Sequence, residues 1–154
     1  MRMSTRGRFG LRALLYLAEN GENTPVSVSM LAREMAVSPD YLMQLFVKLR
    51  RAGLVKSVRG PRGGFRLSRP AGRITVGDVV RAVEGPIGVA PCVAPESCYG
   101  GRSRRALQRL CPRRDRCAAR IVWENLSGEI EKVLDSANLR QILTDAQRLQ
   151  RTPV

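Results

Sequence analysis

The sequence predicts a mainly α-helical fold with one small β-hairpin, and three observations carry that reading. Apolar residues recur at helical spacing along most of the chain. Two short β-prone runs flank a glycine-rich turn at 60–64. A long apolar-sided helix comes after the one window that holds every cysteine. The length, 154 residues, suits one compact domain, or one small domain plus an appended helix or loop. No apolar run approaches the roughly 20 residues that a bilayer span needs. The first residues lack the apolar core and small-residue cleavage site of a signal peptide. The expectation is a cytoplasmic protein with no membrane partner.

Residues 6–20 place Phe9, Ala13, Leu14, Leu17 and Ala18 on one helical side, and Gly21 ends that helix. Ser27 is placed to cap a short helix, 28–35, that buries Leu31, Ala32 and Met35. A tight turn, Ala36-Val37, comes next. Ser38-Pro39-Asp40 then opens a third helix, with Ser38 as N-cap, Pro39 at the first helical position and Asp40 against the positive helix end. Leu42, Leu45, Phe46 and Leu49 form its buried stripe, and Gly53 stands where a stop belongs. Two helices joined by so short a turn are the helix-turn-helix pattern.

The residues after Gly53 sharpen that pattern. Residues 54–59 read as a strand, 60–64 as a turn and 65–68 as a returning strand. A hairpin after the second helix of such a motif is a wing. Arg59 and Arg62 sit at its tip among Gly60, Pro61 and Gly63, where an unencumbered backbone can approach a phosphate or enter a minor groove. Thr75-x-x-Asp78 is a capping-box variant that starts a fourth helix, 76–84, with Val79, Val80 and Val83 inward. Gly85-Pro86 stops it. Residues 87–110 read as irregular or short-helical. From 118 a long helix runs to about 134, with Ile121, Val122, Leu126, Ile130, Val133 and Leu134 along one side and Trp123 beside them. Ser136 is the expected cap of a last helix reaching 149. The long helix either packs back on its own domain or pairs with a second copy. The reading divides the chain into a winged helix-turn-helix domain (1–86), a cysteine-containing loop (87–117), and a dimerisation helix with a C-terminal helix (118–154).

Charge points to the partner. The chain carries 27 Lys and Arg against 13 Asp and Glu, a net +14, and such an excess implies a polyanion, most simply double-stranded DNA. The first 75 residues hold 14 basic and 4 acidic side chains, and residues 92–120 hold 8 Arg against Glu96 and Asp115. From residue 121 onward the balance is near neutral. DNA readers of this size are mostly two-fold dimers on palindromic sites. A non-specific packaging protein would explain the charge but not the wing. An enzyme would need convergent acid and base residues that the pattern does not offer. Histidine is absent, which excludes Ser-His-Asp and Cys-His catalysis and any imidazole-dependent metal site.

The four cysteines, Cys92, Cys98, Cys111 and Cys117, are spaced Cys-x5-Cys-x12-Cys-x5-Cys. In a reducing cytosol such clustering favours metal or redox chemistry over structural disulfides. The spacing is not the Cys-x2-Cys of zinc ribbons. Four thiolates can hold a [2Fe–2S] or a [4Fe–4S] cluster, and the arginines around them would favour thiolates and an anionic centre. A cluster-free thiol switch, a zinc site and vestigial cysteines are the other readings.

Several stretches resemble the Rrf-two family of IscR/NsrR-type bacterial regulators. They are Ser4-Thr5-Arg6-Gly7-Arg8-Phe9-Gly10-Leu11-Arg12-Ala13-Leu14, Ser38-Pro39-Asp40-Tyr41-Leu42-Met43-Gln44-Leu45, the wing Val58-Arg59-Gly60-Pro61-Arg62-Gly63-Gly64-Phe65, and Thr75 through Pro86. Cys117-Ala118-Ala119-Arg120-Ile121-Val122-Trp123 matches the family's last cysteine with its following Arg and Trp. The resemblance spans nearly the whole chain. It implies a homodimeric transcription factor that crosses its long C-terminal helices, and an iron–sulfur cluster held by three cysteines and a variable fourth ligand. It places Ser38, Tyr41 and Gln44 on the recognition helix, where Gln can read adenine in a bidentate contact, with Lys48 and Arg50 toward phosphates. Met43 stands where relatives often carry Glu. Arg8 stands where nitric-oxide sensors carry an Asp ligand, so that subtype is not implied. Cys111 and Cys117 fit the family's last two cysteines, leaving Cys92 or Cys98 as its first.

Overall fold

The computed structural model describes residues 4–21, 24–93, 111 and 113–151. The first helix, α1 (Thr5–Asn20), starts where Ser4 Oγ accepts from the Arg6 and Gly7 N–H groups. α2 (Val28–Met35) is capped by Ser27, whose Oγ accepts from Met30 N–H at 3.2 Å. Ala36 turns the chain with φ 53°, a left-handed conformation unusual for a residue with a Cβ. α3 (Pro39–Arg51) opens with Ser38 Oγ accepting from Tyr41 N–H at 3.2 Å and Pro39 in its first turn. Leu42, Leu45, Phe46 and Leu49 are its buried residues, as the apolar spacing predicts.

Strands β1 (Val55–Val58) and β2 (Gly64–Leu67) pair antiparallel, with Lys56 opposite Arg66 and Val58 opposite Gly64. The ladder is shorter at the tip than the sequence predicts because Gly60, at φ 120°, takes the chain out of the strand. It begins again one residue early because Gly64 lies against the Val26 backbone, where a Cβ would collide with the Val26 carbonyl oxygen. Val26 exchanges two backbone hydrogen bonds with the neighbouring Phe65, at 2.9 and 2.8 Å. The hairpin root is thereby tied to the segment ahead of α2.

A 3-10 turn (Ala71–Arg73) leads to α4 (Val76–Glu84), which carries both halves of the expected capping box. A second 3-10 turn (Arg114–Arg116) precedes α5 (Ala118–Ser136), and α6 (Leu139–Arg151) ends the described chain. The cap of α6 departs from expectation. Ser136 is the last residue of α5 and spends its hydroxyl on the Val133 carbonyl, while Asn138 Oδ1 accepts from Gln141 N–H at 2.9 Å. Asn138 takes that role because it is drawn into a backbone bridge with Thr75, which gives it the extended geometry of an N-cap.

One core unites these elements. Ala13, Leu14, Leu31, Leu42, Phe46, Leu49, Val79 and Val83 pack within it, and the Phe46 and Phe65 rings meet at 4.4 Å between centroids. Leu139 is fully buried in the same cluster. The C-terminal helix therefore packs back on the winged domain. The long helix behaves differently: Ser127 is the sole buried residue of α5. Ile121 is 62% exposed, Val122 58%, Leu126 43% and Val133 67%.

Candidate nucleic-acid interface

Because four apolar residues of α3 face the core, its first two turns present Ser38, Pro39, Asp40, Met43 and Gln44 to solvent. Tyr41 is half-buried. Its ring meets Phe9 of α1 edge-on at 5.9 Å, and the Arg12 guanidinium lies 5.7 Å from the Phe9 ring centre. The Tyr41 hydroxyl is buried without a hydrogen-bond partner. This stack couples α1 to the start of α3. Phe9 and Arg12 share a helical face, but nothing local to the sequence pairs them with Tyr41.

Lys48, which the resemblance assigns to phosphates, is exposed and has a partner within the chain. Its ammonium donates to the Val83 carbonyl oxygen at 3.0 Å, in the last turn of α4. That is a favourable place for a cation, since terminal carbonyls carry the negative end of the helix dipole. Arg50 and Arg51 are exposed at the end of α3.

At the wing tip Arg59, Gly60, Pro61 and Arg62 are exposed and Gly63 is half-buried. Gly63 N–H donates to Gly60 C=O at 2.8 Å, closing the turn. A Cβ on Gly63 would stand 2.5 Å from the Val58 carbonyl oxygen. Neither Arg59 nor Arg62 joins an ion pair among the described residues. Both guanidiniums therefore remain available to an anionic partner.

Behind this surface, Arg81 of α4 grips Asp135 of α5 with both nitrogens, at 3.2 and 2.5 Å. Thr75 Oγ1 donates to the same carboxylate at 3.4 Å, and Arg69 pairs with Asp78 at 3.0 Å. The hydrogen bond from Arg81 holds the Asp135 carboxyl below its usual range, and the same bond raises Arg81.

The described cysteines, Cys92, Cys111 and Cys117, are each half-buried; Cys98 lies outside the described residues. Val89 N–H donates to Ser127 Oγ at 3.2 Å, and that hydroxyl donates to the Trp123 carbonyl at 2.8 Å. The segment entering Cys92 is thereby fastened to α5. Cys117 occupies the N-cap position of α5, and its carbonyl accepts from Arg120 N–H at 3.1 Å. Arg120, one turn on, pairs with Glu124 at 2.6 Å through one nitrogen, while its buried Nε has no partner among the described residues. Thiol donors in so electropositive a setting suit a thiolate-bound metal centre in chemistry. Among the described residues, no three His, Cys, Asp or Glu side chains are gathered as a metal site.

Comparison with known proteins agrees with the fold. The profile of the Rrf2 family, described as iron-dependent transcriptional regulators, matches residues 3–145. The chain is 36% identical over 149 residues to the HTH-type transcriptional regulator IscR of Xenorhabdus nematophila, covering 97% of this chain and 83% of that protein. Among solved structures, IscR of T. potens superimposes with a TM-score of 0.74 at 34% identity, covering 100% of this chain and 94% of that one. CymR of B. subtilis, the global cysteine regulator, superimposes with a TM-score of 0.68 at 33% identity, over 94% of this chain and 97% of that one.

Proposed function

The chain belongs to the Rrf2 family of transcriptional regulators, and from that premise we propose that it is a homodimer that reads a palindromic operator under the control of an iron–sulfur cluster. The observation that carries the DNA-reading half is the exposed polar start of α3 together with an exposed, glycine-framed arginine tip. Gln44 is the side chain suited to a base edge, by a bidentate contact to adenine. Ser38, Asp40 and Arg50 are exposed on the same element, and Arg59 and Arg62 serve phosphates or a minor groove. Dimerisation rests on the apolar row of α5, which the winged domain leaves uncovered.

Cys92, Cys111 and Cys117, with Cys98 as a further candidate, are the residues that would hold the cluster. When bound, such a group supplies ligation that is sensitive to iron supply and oxidants. The chain's own part is mechanical. Ser127 ties the approach to Cys92 onto α5, Cys117 begins that helix, and Arg81 ties α4 to its far end. A change in the cysteine loop thus reaches the helix that sets the distance between two recognition helices, which must match half-sites about 34–36 Å apart.

A thiol switch without a cluster is the second reading. The described cysteines are not gathered, and the structures of S. aureus CymR include an oxidised form. The deciding experiment is anaerobic purification with measurement of iron, sulfide and visible absorbance, then operator titration of wild type, Cys111→Ala, Cys117→Ala and Arg59→Ala. The cluster reading expects iron and sulfide in the wild type, their loss in both cysteine variants, and altered operator affinity. Wild-type iron and binding in both cysteine variants would overturn it. Arg59→Ala should weaken operator binding by about 1–3 kcal/mol.

A further inference from the structure

A cleft of about 620 Å³ opens between the end of α1, the root of the hairpin and α6. Its size is that of a small-molecule site. Lys56, Arg66, Arg69 and Arg140 line it, and among the described residues no acidic side chain does. Arg69 is answered by Asp78. The other three join no ion pair among the described residues.

Their arrangement concentrates like charge at exposed positions. Lys56 and Arg66 are direct cross-strand partners, and like charges in that relation destabilise a hairpin. α6 then adds Arg140, whose side chain lies along Gly72, within 3.9 Å of where a Cβ would stand. Leu17 and Leu143 contribute apolar lining.

We propose that this cleft binds a small organic anion carrying at least two negative charges on a short carbon body. Three cations that no described carboxylate answers call for more than one negative charge. The concave shape and the apolar part of the lining, Leu17 and Leu143, suit a short carbon skeleton, which a DNA phosphodiester would not use. The occupant would join the hairpin root to α6, two elements far apart in sequence. None of the described cysteines lines the cleft, and the proposal stands whether or not they hold a cluster.

The test is calorimetric titration of the full chain, without DNA and at fixed ionic strength, with citrate, adipate and 3-phosphoglycerate. Inorganic phosphate serves as the charge-only comparison. At least one organic anion should bind with a roughly millimolar dissociation constant or tighter, and more tightly than phosphate. Arg140→Ala and Arg66→Ala, both at exposed positions, should each weaken that binding about tenfold. Circular dichroism confirms that the variants are folded, and the Arg66 variant decides if the Arg140 variant is not. Carboxylate and phosphate probes distinguish the headgroup. The proposal is overturned if none of the three outbinds phosphate, or if the folded variants bind as wild type does. It is equally overturned if Arg66→Ala weakens operator binding while no organic anion binds, since the basic surface then serves the DNA backbone.

Discussion

Lys48 shows how far a residue's role depends on what is packed beside it. A lysine late in a recognition helix suits a phosphate, yet its ammonium is bonded to Val83 C=O, 35 residues away in sequence. Lys48→Met should therefore lower folding stability by about 0.5–1.5 kcal/mol in denaturant titrations. It should leave the slope of log K against log salt for operator binding unchanged, whereas loss of a phosphate contact would reduce that slope by about one. The sequence could not disclose this bond, because it needs the end of α4 to lie against α3. Ser38, Ser27 and Thr75 were legible for the opposite reason: each caps the helix that it immediately precedes, so the bond is written within three residues. Asn138 was missed because a bridge to distant Thr75 decides where α6 begins.

At the level of elements, the joint between α4 and α5 is ionic and its acid response has a definite sign. Asp135 has its carboxyl lowered by the Arg81 hydrogen bond. Its contribution to stability is complete above the ordinary carboxyl range and is lost as pH falls through the lowered folded value. Both side chains are substantially exposed, so the contribution is at most about 1 kcal/mol. Unfolding measured at neutral pH and again in acid should show wild type losing more stability than Asp135→Asn over that interval. Gly77 belongs to the same joint: a Cβ there would collide with the Asp135 carboxylate and press on Arg81. The helices and hairpin on either side of this joint were readable from periodicity and turn residues. The joint itself was not, since Arg81 and Asp135 are separated by the whole cysteine segment.

For the whole molecule, the division of labour between the last two helices matters most. The sequence left open whether the C-terminal helices serve the subunit or a partner. Leu139 of α6 is sealed in the winged domain's core, while the apolar row of α5 faces solvent. Ile121→Glu combined with Val133→Glu should yield a monomer by sedimentation at micromolar concentration, with the circular dichroism spectrum and thermal cooperativity of each subunit retained. A double variant that stays dimeric would remove α5 as the contact. The basic cleft was equally hidden from the sequence, because its lining comes from four separate stretches of chain between Leu17 and Gln147.

The bridge that seats Leu139 also governs the order of events during synthesis. Val76 N–H donates to Ala137 C=O at 2.9 Å, and Leu139 N–H to Ile74 C=O at 3.0 Å. The winged domain thus takes its last core side chain and its last backbone pairing from the far end of the polypeptide. A nascent chain still on the ribosome cannot complete that domain until α5 has already emerged. The winged domain's core and the exposed apolar row of α5 are therefore completed together.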